Sequence, residues 1–144
     1  MTTMATERSL SELLFVVPQF EPHPPLYNVF MWAWVGIFGT SEIAMRSSSV
    51  LFSIATIPLV YLLVRRLFDR PTAVIVGTFV AVSPFQIWYA QEARMYAPLV
   101  LLTVASFYLL VRLTESYTRR TAIGYVAVGV ALAYLHIYGL FVLL

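Results

Sequence analysis

The chain is 144 residues long, 60% hydrophobic and only 11% charged, with a mean hydropathy of +0.83. So apolar a composition excludes an ordinary water-soluble domain and predicts an all-α integral membrane protein. The absence of cysteine excludes disulfides and cysteine-held metals. The net charge of +2 comes from arginines scattered between apolar runs, which is a membrane-topology pattern and not a nucleic-acid surface.

Residues 1–24 are the only extended polar stretch and predict a segment or loop on the outer side, ahead of a membrane domain over 25–144. The stretch ends in Glu21 and in His23-Pro24-Pro25, whose prolines suit the start of a helix. The apolar segment 26–38 reaches only ~20 Å as a helix, short of ~30 Å of hydrocarbon, so it predicts an outer juxtamembrane helix lying along the surface. Gly39 suits its stop, Thr40 or Ser41 can cap the next helix, and Glu42 with Arg46 forms an i,i+4 pair in the favourable order.

Four spans follow, over about 43–64, 72–89, 96–113 and 122–144. Pro58 lies inside the first and Pro84 near the outer end of the second, where each removes a backbone bond and can bend its helix to line a cavity. Arg65, Arg66, Arg70, Arg112, Arg119 and Arg120 flank two connections on one side, opposed there by only Asp69 and Glu115. By the positive-inside bias that side is cytoplasmic, which predicts a multi-pass protein of the cell membrane with the Gln91 to Tyr96 hairpin facing outward. All three tryptophans then fall on the outer side, as in an interfacial aromatic belt. No apolar span or signal peptide precedes the first 40 residues or so, and no polar flank follows Phe141-Val142-Leu143-Leu144, so a fragment of a longer protein is expected.

The polar island Gln91-Glu92-Ala93-Arg94-Met95-Tyr96 sets two opposite charges between long apolar runs. An ionisable residue near hydrocarbon costs a few kcal/mol and normally persists for a function. Each candidate also has a plainer reading. Glu92 and Arg94 can be a hairpin-stabilising pair, Arg46 a structural partner of Glu42, His136 a helix-packing histidine and His23 a surface turn.

The ordered set His23-Pro24-Pro25-Leu26-Tyr27, Phe38-Gly39 with Ser41-Glu42 and Arg46, Ser83-Pro84-Phe85, Gln91 to Tyr96, and His136 with Tyr138-Gly139 resembles the membrane glycosyltransferases of the C-type fold. Within them it is similar to the superfamily of dolichyl-phosphate-mannose protein mannosyltransferases and aminoarabinose transferases, family 39, over about residues 9–144. The resemblance implies part of a larger C-type glycosyltransferase fold, and transfer of a sugar from a polyprenyl-phosphate carrier to a protein, lipid or glycan acceptor at the outer face. That chemistry needs a carboxylate to take the acceptor's proton and cations or a metal to stabilise the leaving phosphate. Glu21 and Glu92 are the candidate catalytic carboxylates. His23, Arg46, Gln91, Arg94, Tyr96 and His136 are the candidate substrate-binding residues, His136 standing ~21 Å along its helix in the outer third of the bilayer. In the family the presumed catalytic Asp stands at the end of a span upstream of this region. Glu7 and Glu12 do not match that motif, so the chain alone is expected to be inactive. Histidine and carboxylate can ligate a divalent ion, but their spacing specifies none and the cofactor stays open. A transporter fragment and a non-catalytic scaffold subunit are the competing readings. The first would bury its charges near the midplane and the second would need no polar island.

Overall fold

A computed structural model describes residues 25–143 of the chain. All regular structure among them is helical, in seven helices: α1 (Leu26–Phe38), α2 (Glu42–Leu67), α3 (Arg70–Ala81), α4 (Pro84–Ala90), α5 (Tyr96–Glu115), α6 (Arg119–Leu135) and α7 (Tyr138–Leu143). Short polar signals set their ends. The α1–α2 corner turns at Gly39, the one residue among those described with positive φ (87°), and the Ser41 hydroxyl then accepts the Ala44 N–H to cap α2. Asp69 and Thr118 cap α3 and α6 in the same way.

α2 is the spine of the bundle, packed most extensively against α5 and α3, with α6 on the far side of α5. The buried face of α2 is built from Ser48, Ser49, Ser53 and Thr56, small side chains that let neighbouring helices approach closely where apolar surroundings supply no hydrophobic drive. Ser48 and Thr56 return their hydroxyl hydrogens to the carbonyls of Met45 and Phe52 within α2 itself.

α2 and α5 are each long and apolar enough to cross a membrane. At 26 and 20 residues they measure ~39 Å and ~30 Å. Of the four expected spans, two, or three with one bent pair, are long and apolar enough to cross among the described residues, for two local reasons. The second is broken into α3 and α4 with a 52° bend at Val82-Ser83, because Pro84 has no N–H to continue the α3 ladder, and it counts as one span only as a bent pair. The fourth stops at Leu135: α6 has 17 residues, His136 takes an extended conformation, and six residues of α7 resume beyond it. α1 is a 13-residue apolar helix resting on α2 and α6.

The connections alternate between two ends of the bundle. One holds Arg65, Arg66, Arg70, Arg112, Arg119 and Arg120, where Arg66 pairs with Glu115 and lies 5.3 Å over the Tyr108 ring, joining the ends of α2 and α5. The other holds the α4–α5 hairpin, the start of α2 and the α6–α7 break.

Candidate active site

The hairpin end is assembled on an apolar base. Tyr27 and Met31 of α1 and Leu135 of α6 form a buried cluster, against which pack Met45 of α2, Met95 of the hairpin, and Leu99 and Leu102 of α5. Met45 precedes Arg46, Met95 precedes Tyr96 and Leu135 precedes His136, so one cluster fixes the backbone beside three of the residues singled out in the sequence.

The hairpin is a short succession of turns. The Gln91 N–H closes α4 on the Trp88 carbonyl at 3.1 Å, and the Arg94 N–H returns to the Glu92 carbonyl at 2.9 Å. The Glu92 carboxylate accepts the Trp88 indole N–H at 3.2 Å and lies 3.9 Å from Arg94 Nε. The Glu92 side chain is 33% exposed and that of Arg94 is 64% exposed. An ion pair this long with one member mostly exposed contributes at most ~1 kcal/mol. Holding the turn is therefore a weak reason for these charges, and the guanidinium is accessible to an anion.

A row of rings leads from the hairpin into the bundle. Phe85 meets Tyr89 (4.5 Å between centroids), Tyr89 meets Tyr96 (4.8 Å), Tyr96 meets His136 (6.1 Å), and His136 meets Tyr138 (4.7 Å). This row brings the polar island and His136 together, although 39 residues separate Tyr96 from His136 in the chain. His136 is 3% exposed, and its Nδ1 accepts the Tyr138 N–H at 3.0 Å.

The remaining expectations divide. Arg46 is exposed and paired with Glu42 at 2.5 Å, the i,i+4 bridge that its spacing predicted. Gln91 is exposed in the turn. Glu21 and His23 lie outside the described residues. Trp88, which holds Glu92, was legible as an indole one helical turn before a carboxylate but was read only as a belt residue. Tyr27 was likewise read as an aromatic anchor, yet it is 6% exposed, its hydroxyl is buried without a hydrogen-bond partner among the described residues, and burial pushes its phenol well above the ordinary value. A buried hydroxyl of this kind stays neutral and is a ready donor or acceptor. Among the described residues no three His, Asp or Glu side chains gather into a metal-binding group.

A helical bundle with helices long and apolar enough to cross a membrane, six arginines clustered at one end and the Gln91 to Tyr96 hairpin at the other, defines an integral membrane protein. The profile of the dolichyl-phosphate-mannose-protein mannosyltransferase family matches residues 22–144. The chain belongs to that family and is therefore a membrane glycosyltransferase of mannosyltransferase-like type, with a lipid-linked sugar as its donor. No curated protein and no solved structure matches it.

Proposed function

We propose that the chain carries part of the site at which a sugar is moved from a polyprenyl-phosphate carrier to a protein, lipid or glycan acceptor at the outer face of the cell membrane. The observation that carries this reading is the hairpin at the bundle end opposite the six clustered arginines, where Glu92 lies beside Arg94 and the Tyr96 ring meets that of His136. In the step itself an acceptor oxygen attacks the anomeric carbon, the bond from that carbon to the phosphate oxygen breaks, and the acceptor's proton passes to a carboxylate. Glu92 keeps free lone pairs beyond its bond from Trp88 and is suited to take that proton, or to orient the group that does. Arg94, exposed beside it, is suited to the charge that grows on the leaving phosphate. Glu21 and His23, outside the described residues, are assigned to the same site by the family resemblance alone, as are the exposed Gln91 and Arg46. In this arrangement the arginine-rich end is cytoplasmic, by the positive-inside bias, and α1 lies along the outer surface.

The test is substitution in the complete protein, with transfer from a polyprenyl-phosphate sugar measured beside thermal stability in detergent. Glu92→Gln keeps shape and removes charge, and Arg94→Ala removes the cation. Each is expected to lower transfer by about 100-fold, the scale of a lost acid, base or charge stabiliser, with an unchanged melting temperature. Full activity in both variants would leave the pair as a turn-stabilising bridge and end this assignment.

A further inference from the structure

The end of the bundle opposite the hairpin carries more positive charge than its own structure uses. Six arginines stand there, and the two acids described at that end are already engaged: the Asp69 carboxylate accepts the Thr72 N–H, and Glu115 pairs with Arg66. Among the described residues no carboxylate pairs with Arg65, Arg70, Arg112, Arg119 or Arg120, and all of these but the half-buried Arg112 are exposed. Helix stability explains only some of them. Arg65, Arg66 and Arg112 lie in the last turns of α2 and α5, where a cation suits the helix dipole. Arg70, Arg119 and Arg120 open α3 and α6, where a cation opposes the dipole, and neither helix has an acidic residue in its first turn.

Two features set these charges at the level of lipid headgroups. α2 and α5, the two helices long and apolar enough to cross a membrane, both end here, and the pairing of Arg66 with Glu115 ties those ends together. Each of the two connections also exposes a ring beside its arginines, Phe68 (68%) between α2 and α3 and Tyr117 (76%) between α5 and α6. Rings this open bury little against the bundle, but they sit favourably where headgroups meet hydrocarbon.

We infer that this end is a binding surface for anionic phospholipids: the unpaired guanidiniums of both connections hold headgroup phosphates, and Phe68 and Tyr117 seat between them at the boundary with the acyl chains. A guanidinium can give a phosphate two parallel hydrogen bonds, and each one near an anionic surface adds its own increment of attraction. Arginines contributed by the ends of four helices, with aromatic rings among them, suit a layer of headgroups and not one dissolved phosphate. The inference requires only that this end sit at a membrane surface. It is independent of the transferase reading and of which leaflet the end faces.

Native mass spectrometry of the complete protein in detergent tests it, with phosphatidylglycerol and phosphatidylcholine of identical acyl chains as the probes. Wild type is expected to bind phosphatidylglycerol about ten-fold more tightly, or better. Two double variants, Arg65→Gln with Arg70→Gln and Arg119→Gln with Arg120→Gln, each leave four of the six arginines in place. Each is expected to weaken phosphatidylglycerol binding by at least about five-fold, the increment of one arginine at a charged surface, with phosphatidylcholine binding unchanged. The charge-keeping pair Arg119→Lys with Arg120→Lys is expected to retain most of the preference, which separates lost charge from a folding defect. Equal affinity of wild type for the two lipids would overturn the inference, leaving the arginines to topology alone or to an acidic protein. A preference surviving in both Gln variants would place the bound lipid elsewhere and overturn it too. Sodium phosphate at the concentration of the lipid is expected to displace none of it; full displacement would identify a site for dissolved phosphate instead of a lipid surface.

Discussion

Asp69 decides where α3 begins. Its carboxylate accepts the Thr72 N–H at 2.9 Å, and the hydrogen bonds from Thr72 hold its pKa below the ordinary aspartate value of about 3.9. Because the folded value is the lower one, the carboxylate favours the folded state at all pH above the ordinary value, and this contribution disappears as pH falls through the folded value. Asp69→Asn keeps an oxygen for the cap and does not titrate. The difference in melting temperature between wild type and this variant is therefore expected to shrink between pH 6 and pH 3, and a constant difference would contradict the linkage. Gly139 is a residue of another kind, limited by space instead of charge. The Cβ of Gly139→Ala would strike the Leu132 backbone, with an expected loss of roughly 1–3 kcal/mol. At Gly77 the same change meets only Tyr61 Cβ at 3.8 Å, an ordinary contact, and alanine there is expected to be neutral or to stabilise by up to about 1 kcal/mol. Melting temperatures of the two variants in detergent compare them directly.

Among the elements, α4 is held by a buried polar contact as well as by packing. Seven residues cannot cross a bilayer, and α4 is set at 52° to α3. It is tied to α2 by Gln86, a buried side chain whose Nε2 donates to the Ser53 carbonyl at 3.2 Å. The anchor point falls where α2 is loosened, since Pro58 has no N–H to give the carbonyl of Ile54, the residue after Ser53. Gln86→Leu keeps the volume and drops the bond. A stability loss of about 1 kcal/mol is expected, in the range for interhelical bonds between membrane helices. Freer movement of α4 should also accompany it, measurable as faster hydrogen exchange over Pro84–Ala90. Unchanged exchange would show that packing alone holds the bend. The bend was legible, because a proline near the end of an apolar run announces one. The α6–α7 break was not. The stretch Ala133-Tyr134-Leu135-His136-Ile137-Tyr138 has no proline or glycine and reads as continuous apolar helix; it stops because the His136 side chain takes the N–H of Tyr138 from the helical ladder. The site divides along the same line. Glu92 and Arg94 stood out as charges in an apolar context, whereas Trp88 and Tyr27 look like any other membrane aromatic until their hydrogen-bonding atoms are located in space.

For the whole molecule the decisive quantity is which end faces the cytoplasm. Single cysteines can be placed in this cysteine-free chain at Phe68 and Tyr117, exposed at the arginine end, and at Gln91, exposed in the hairpin. A thiol reagent that cannot cross membranes is expected to label Gln91→Cys in intact cells and to reach Phe68→Cys and Tyr117→Cys only after permeabilisation. The opposite pattern would place the polar island inside and remove any outer-face site.

The unequal ends also make the bundle a charged object in an electric field. Among the described residues, six arginines against Asp69 and Glu115 leave a surplus of four positive charges at one end, whereas Glu42, Arg46, Glu92 and Arg94 cancel at the other. At ~2.3 kcal/mol per charge per 100 mV, carrying that surplus outward against a negative-inside potential costs roughly 9 kcal/mol per 100 mV. In the orientation proposed above, with Glu92, Arg94 and His136 outward, a negative-inside potential favours the arginine end where it is and opposes inversion.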